Sequence, residues 1–506
     1  MKRTFLIFGF GLLACCGWAA DKPNVVIFLV DDMGVMDTSV PFLLDDKGAP
    51  KRYPLNDWYR TPNMQRLANQ GIRFSDFSAQ SVCSPTRASI MTGENATRHG
   101  TTTWIAPGGN NRGKFGPQKW NWLGLKKSDV TLPRVLHAAG YETIHVGKAH
   151  FGPLGSEGAN PLNIGFDVNV GGATWGQPRS YYGKDNYGNH EKYKKNGKTL
   201  HHQVPGLDKY YGSDTFLTEA LTLEANAKIE AAVKAKKPFF LYMAHYAVHA
   251  PFMPDPRFIQ NYTGKGKRAL AYASMIEGMD KSLGDILDQL NKLGVAENTL
   301  IFFLGDNGSD APLGKKYDHA SSAPLRGKKG TCYQGGTHVP FIAAWAKSNP
   351  ENVWQKKMPI KQGGIQTQMG TVMDLYPTIL ALANIKDVEG HIVDGYNLSS
   401  LLAGNLDSHH PQTFLMHFPH PHNSSYFTMY RSGDWKMVYD YHPGQEGPPQ
   451  HLLFNLKEDP FENNNLASKN PEKLKSMIKS MKKELESEHA LYPELPSGKI
   501  VKPLTL

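Results

Sequence analysis

Cys83 stands in Cys83-Ser84-Pro85-Thr86-Arg87, inside the run SVCSPTRASIMTGENATRHG, and proline two residues on with arginine four on makes it a poor structural cysteine. Two acidic pairs accompany it: Asp31-Asp32 at the end of VVIFLVDDMG, and Asp306-Asn307 in FFLGDNG. Adjacent carboxylates repel each other unless a cation sits between them. Oxygen-only donors favour a hard cation, Ca²⁺ or Mg²⁺. Lys148 and His150 in Gly147-Lys148-Ala149-His150, His249 in His249-Ala250-Pro251-Phe252, and Lys329 in GKKGTCYQGG add residue types able to hold an oxyanion or move a proton. Each alone has an ordinary explanation: a buried cysteine beside a helix-starting proline, a capped strand end, a solvated lysine. Their convergence is what carries the argument.

Short β-rich runs alternate with helical stretches, which predicts an α/β fold with a largely parallel sheet. Strands are expected at 24–30, 239–243, 300–304 and 339–344, with a weaker one at 141–146. Helices are expected at 61–68, 87–91, 132–139, 216–234, 268–293 and 372–382. Ligands of open α/β sheets gather beyond the carboxyl ends of strands. Both acidic pairs follow strands and fall at that edge. Two polar stretches, 101–125 and 179–214, are expected to lie as insertions over the active face, where loops carry specificity. After about Ala403 the sequence becomes His- and Pro-rich, then β-like near 428–439 and 450–456, then helical near 471–486. This predicts a smaller C-terminal α+β subdomain over 404–506, with the main domain over 21–403.

A chain of 506 residues with 40% hydrophobic and 20% charged residues can bury a large core and reads as globular. Lys2 and Arg3 precede an apolar run and then small residues, the pattern of a signal peptide over 1–20. The chain is therefore expected to be exported, periplasmic or secreted. Leu12-Leu13-Ala14-Cys15 also resembles a lipobox, so a membrane attachment is expected only if Cys15 is lipidated. Without the first twenty residues the 56 basic residues fall to 54 against 46 acidic, a balance compatible with a polyanionic substrate. No nucleic-acid partner is expected. Of four cysteines, two lie in the leader, leaving Cys83 and Cys332, too few for a disulfide scaffold. A bond between them is not expected.

The run Cys-x-Pro-x-Arg, followed by Thr92-Gly93 and Arg98-His99-Gly100, resembles the signature of the type I sulfatases, and the likeness extends over nearly the whole chain after the leader. That resemblance implies an alkaline-phosphatase-like fold and hydrolysis of sulfate monoesters. It also implies oxidation of Cys83 to Cα-formylglycine by a formylglycine-generating or anaerobic sulfatase-maturing enzyme. A serine would end as a stable sulfate ester, whereas a hydrated aldehyde has a second hydroxyl whose deprotonation expels sulfate. By the same resemblance Arg87 supports the nucleophile, Lys148 holds a sulfate oxygen, His150 takes a proton from the formylglycine hydroxyl, and His249 and Lys329 face the leaving oxygen. One Ca²⁺ would be held by Asp31, Asp32, Asp306, Asn307 and the Cys83-derived group.

The substrate class implied is a sulfated carbohydrate, with galactose-type units as one choice within it. His338, where the family commonly has Arg, and His417 and His420, in LMHFPH, are candidate substrate contacts; Gln334 replaces a common Glu. Two rival expectations keep the same chain: a phosphonate monoester hydrolase or phosphodiesterase of the same superfamily, and a catalytically silent glycan-binding protein.

Overall fold

The computed structural model describes residues 22–188, 202–313, 321–444 and 451–504. The expected leader, with Cys15, lies outside them. The centre is an eight-stranded mixed sheet built from β1 (Asn24–Val30), β2 (Ile72–Phe74), β4 (Glu142–Gly147), β5 (Val168–Val170), β6 (Phe239–His245), β7 (Thr299–Gly305), β8 (Phe341–Trp345) and β9 (Gly364–Gln366). The spatial order is β5-β4-β6-β1-β7-β8-β2-β9. The β8 strand alone pairs antiparallel to its neighbours, so seven strands run the same way. A short parallel pair, β3 (Phe77–Ser78) with β10 (Gly370–Thr371), stands beside it.

Both faces of the sheet are covered, as unbroken runs such as NVVIFLV require of a parallel sheet. Val26, Phe28 and Val30 face helices Pro62–Gln70, Leu217–Lys234 and Lys267–Lys292. Val25, Ile27 and Leu29 face helices Cys83–Thr92, Leu132–Ala138 and Leu375–Ala383. The long elements thus fall where the hydrophobic pattern put them. Local chemistry moves three boundaries. The helix expected at 87–91 begins at Cys83, because Pro85 is tolerated in a first turn whose N–H groups have no intrahelical partner. The strand expected from 339 begins at Phe341, since Pro340 has no N–H to donate. The helix expected from 372 opens with a 3₁₀ turn, Val372–Asp374, where the Asp374 carboxylate accepts from the Thr371 N–H.

The C-terminal part forms a four-stranded antiparallel meander, β11 (Thr413–Phe418), β12 (Phe427–Ser432), β13 (Trp435–Asp440) and β14 (His451–Asn455). Its residues alternate between two cores. Leu415, Tyr430, Met437 and Leu453 meet Leu474, Met477, Ile478 and Met481 of helix Pro471–Ser487. Phe414, Met416, Phe427 and Met429 meet Val82, Cys332 and Met373 of the main body. The sheet is therefore pressed against the residue that precedes Cys83.

Candidate active site

Four strands of like direction deliver the expected residues to one edge. β1 ends into Asp31-Asp32, β4 into Lys148 and His150, β6 leads to His249, and β7 ends into Asp306-Asn307. Gly147, the last residue of β4, has φ 102°, and a Cβ there would lie 1.9 Å from the Ala244 carbonyl oxygen. Only glycine lets the chain turn there and bring Lys148 and His150 over the edge. Asp32 and His150 themselves occupy the left-handed region, at φ 60° and 58°. Side chains with a Cβ enter that region rarely, and such positions collect at functional sites.

Cys83 is the first residue of its helix, so its side chain sits at the positive end of the macrodipole. Its Sγ lies 3.2 Å from His150 Nδ1. His150 Nε2 lies 2.7 Å from the Ile105 carbonyl oxygen, which can only accept, so the ring hydrogen is on Nε2 and Nδ1 offers a lone pair to the Cys83 side chain. Burial, and then the Lys148 charge, hold His150 well below the usual histidine range, which keeps that lone pair free. The Ile105 N–H in turn donates to Ser84 Oγ at 3.1 Å.

Arg87 is fully buried and pairs with Asp306 at 2.8 Å, lies 3.7 Å from Asp31, and donates to the Lys148 carbonyl at 2.8 Å. Lys148 Nζ meets Asp31 Oδ2 at 2.7 Å; Lys329 Nζ meets Asp32 Oδ1 at 2.6 Å. Burial works against ionisation of all three acids. For Asp31 it wins, pushing the group well above the carboxylate range; for Asp32 the interactions with His249, Lys329 and Lys148, including the Lys329 hydrogen bond, outweigh it, and for Asp306 the Arg87 charge does. Oxygens of Asp31, Asp32 and Asp306 lie within 4.8 Å of one another. Asp31 Oδ1, Asp32 Oδ2 and Asn307 Oδ1 are buried and accept no hydrogen bond. Unsatisfied buried oxygens are costly, and a hard divalent cation relieves them, so this donor set fits one.

His249 Nδ1 lies 2.9 Å from the Ala250 carbonyl and Nε2 3.6 Å from Asp32 Oδ2. Burial, partly opposed by Asp32, brings it to about 3, so it is neutral. Lys329 moves the other way: burial opposes its charge, but Asp32 overrides that and raises it.

The family model described as Sulfatase matches residues 23–385. The chain belongs to the sulfatase family. The N-acetylgalactosamine-6-sulfatase of Mus musculus is 32% identical over 404 residues, which cover 78% of this chain and 69% of that one. The N-acetylgalactosamine-6-sulfatase of Homo sapiens is 30% identical over 506 residues, 94% of this chain and 88% of that one. Among solved structures, Ps i-CgsB in complex with k-i-k-neocarrahexaose superposes with a TM-score of 0.72 at 26% identity, covering 94% of this chain and 96% of that one. The protein is thus a sulfuric ester hydrolase, with the mixed α/β sheet that the resemblance implied and the separate C-terminal sheet that the sequence pattern after Ala403 predicted.

In this sulfatase a cavity of about 470 Å³ opens over Cys83, His150, His249 and Lys329. Lys148, fully buried on Asp31, and the three histidines expected as substrate contacts are absent from its lining. His338 is buried beside Asp76 and Arg431, and burial lowers it to about 4. His417 spends both nitrogens inside the C-terminal core, on Thr428 Oγ1 at 2.7 Å and the Leu491 carbonyl at 2.9 Å. His420 is fully buried between Thr102 Oγ1 and the Arg112 carbonyl. His417 and His420 therefore tie parts of the fold together, and none of the three histidines lines the cavity. The same C-terminal loop reaches the cavity two residues later, through His422 and Asn423. Asn423 also donates to the Lys329 carbonyl at 2.7 Å.

The remaining walls come from the two polar insertions and the turns next to them: Trp104 and Pro107 on one side, Gly176, Arg179 and His202 on another. Asp310 lines the rim and pairs with Lys328. Sequence reasoning marked the insertions but not these residues within them. Cys83 and Cys332 are both free and buried.

Proposed function

We propose that this sulfatase is exported and removes sulfate from a saccharide with a galactose-type unit, with Cys83 as the precursor of its nucleophile. Oxidised to formylglycine and hydrated, the residue would supply a geminal diol where the thiol stands. The observation that carries the reading is the 3.2 Å approach of Cys83 Sγ to a His150 nitrogen whose tautomer the Ile105 carbonyl fixes. A neutral imidazole in that position is set up to hold a proton from a hydroxyl on the same carbon.

Asp31, Asp32, Asp306 and Asn307 would hold the Ca²⁺, with the Cys83-derived group beside it, and a divalent cation there supplies positive charge next to the sulfate oxygens. Lys329, at the cavity floor, binds and orients the sulfate; Lys148 is fully buried against Asp31 and would have to turn from that acid to hold a sulfate oxygen. Lys329, kept charged by Asp32, stabilises negative charge on the leaving oxygen. Arg87 holds the Cys83 helix against Asp306 and the Lys148 carbonyl, which fixes nucleophile and sulfate clamp relative to one another.

For the sugar, support comes from the aromatic and polar walls of the cavity and from the relatives. N-acetylgalactosamine is named for two of them, and a neocarrahexaose is bound in a third. Residues 404–506 complete the pocket through His422 and Asn423.

The test begins with the mass of the tryptic peptide 74–87 from protein made with a maturing enzyme. Expected is a peptide that has gained one oxygen and lost one sulfur and two hydrogens. The matured protein should release sulfate from N-acetylgalactosamine 6-sulfate faster than it cleaves phosphodiesters or phosphonate monoesters. It should lose activity to a chelator and recover with Ca²⁺. Equal activity with the unmodified thiol, or preference for a phosphorus ester, defeats the proposal.

A further inference from the structure

Lys329 lies between two glycines with left-handed backbone, Gly327 at φ 80° and Gly330 at φ 73°. Such a stretch has many accessible paths, so what it is tied to decides where it lies. It is tied to three parts of the fold. The Lys329 N–H donates to the Ser309 carbonyl at 2.9 Å, just beyond the Asp306-Asn307 pair, and the Gly330 N–H donates to the Ser81 carbonyl at 2.7 Å, two residues before Cys83. From the C-terminal sheet, the Ser424 N–H donates to the Gly330 carbonyl at 2.8 Å and Asn423 Nδ2 to the Lys329 carbonyl at 2.7 Å. A carbonyl only accepts, so the amide nitrogen of Asn423 is the atom turned toward it. Three of these four bonds need only a backbone; the fourth needs the Asn423 side chain.

The loop that carries Asn423 is itself anchored. Residues 419–426 close the hairpin of β11 and β12, whose facing ends, Phe418 and Phe427, pair in register and stack with centroids 5.4 Å apart. Both rings sit in the core shared with Val82 and Cys332. A Cβ on Gly330 would lie 2.2 Å from His422 Cδ2, so the loop passes directly over the Lys329 turn. Asn423 and Lys329 both line the cavity over Cys83. The Lys329 ammonium meets Asp32 at 2.6 Å. Its stem is thus held at both ends, by Asp32 at the ammonium and by Asn423 at the backbone.

Resting on the reading that Lys329 stabilises charge on the leaving oxygen, we propose that Asn423 is a positioning residue for the reaction, acting through Lys329 by fixing the backbone from which that side chain reaches the leaving group. Stabilisation of developing charge depends on donors set in place before the reaction, and a small displacement of such a group is costly. The C-terminal hairpin is then part of the leaving-group machinery as well as a wall of the pocket.

The experiment measures kcat/KM of the matured, Ca²⁺-loaded enzyme on a series of substituted phenyl sulfates of decreasing phenol acidity, with each variant normalised to its formylglycine content and checked by a melting curve. A poor leaving group needs Lys329 and a good one does not, so the slope of log kcat/KM against leaving-group pKa reads the help that Lys329 gives. Wild type is expected to show a shallow slope and Lys329→Ala a steep one. Asn423→Ala should steepen the slope, losing about 10–100-fold on the least acidic phenol and far less on the most acidic. Asn423→Asp, which keeps the shape without the donor, should do the same. Adding Asn423→Ala to Lys329→Ala should steepen the slope no further, because the two residues act as one unit. A wild-type slope in either Asn423 variant, even with a uniform loss of rate, or a further steepening in the double variant overturns the positioning role. If Asn423→Ala does not fold, Asn423→Asp, alone and combined with Lys329→Ala, decides. A wild-type slope in Lys329→Ala is a separate failure: it defeats the leaving-oxygen reading of Lys329, and the positioning role falls with it.

Discussion

A methyl group placed on Gly176 would come 2.9 Å from His150 Cε1 and 3.3 Å from its Nε2. The Gly176 backbone is therefore a lid on one face of the imidazole, while the Ala173 carbonyl accepts from the His150 backbone N–H at 3.1 Å. Gly176→Ala is expected to tilt the ring away from Cys83 and lower kcat by about 10–100-fold, the cost of a small misalignment of reacting groups. The thermal midpoint should hardly move. Turnover normalised to formylglycine content, beside a melting curve, checks this. At this scale legibility divides by atom type. Cys83, Arg87, the acids, Lys148, His150, His249 and Lys329 were readable because their side chains carry the chemistry. The Ile105 carbonyl and the Gly176 backbone were not, since any residue has a carbonyl and a glycine announces only room. His417 and His420 misled for the converse reason: a histidine looks the same in sequence whether its nitrogens face a substrate or a Thr428 hydroxyl.

Among elements, the loop that carries Lys329 depends on the C-terminal sheet. Gln334 N donates to Glu462 Oε2 at 2.7 Å, and the other Glu462 oxygen meets Lys436 Nζ of β13 at 2.6 Å, with both side chains fully buried. Removing one partner of such a pair leaves an uncompensated buried charge and costs about 3–5 kcal/mol, whereas replacing both with apolar groups is often near neutral. Lys436→Met alone is thus expected to destabilise the fold by about that amount in chemical denaturation. Adding Glu462→Leu should restore more than half, short of full recovery because the Gln334 N–H loses its acceptor. A double variant no more stable than the single one would refute this account. The pair was invisible in sequence, where Lys436 and Glu462 look like two surface charges on a strand and a turn. In the main sheet β1, β4, β6, β7 and β8 were visible because their apolar runs are five to seven residues long; β2, β3, β5, β9 and β10 span two or three residues and show no period.

Over the whole molecule, the C-terminal helix is joined to the main body across a carboxylate-rich seam. Arg98 pairs with Asp394 at 2.7 Å, and Glu94, Glu484 and Glu488 crowd around them. Burial, reinforced by Asp394, raises Glu94 and Glu484 to about 7 and Glu488 to about 9; Tyr430 and Thr97 only partly relieve Glu484 and Glu488. These folded values exceed the unfolded value of about 4.3. The folded state therefore binds more protons, and the stability these groups contribute is complete below about pH 4.3 and is lost as pH rises through 7 to 9. The melting temperature should fall from mildly acidic to mildly alkaline buffer, and Glu488→Gln should flatten that slope. An unchanged slope in the variant would locate the pH dependence elsewhere.

Cys83 is 3% exposed, and every residue of its helix from Cys83 to Thr92 is buried. If Cys83 is oxidised as proposed, an enzyme that had to take the run 83–87 into its own cleft would not reach it in the closed fold. On that proposal maturation would be a matter of timing: the chemistry on Cys83 would compete with closure of the main sheet and with docking of the C-terminal meander against Val82. A chain that folds first keeps its thiol for as long as it stays folded. Supplying the maturing enzyme afterwards would leave it inert, whereas unfolding it in that enzyme's presence would reopen the opportunity.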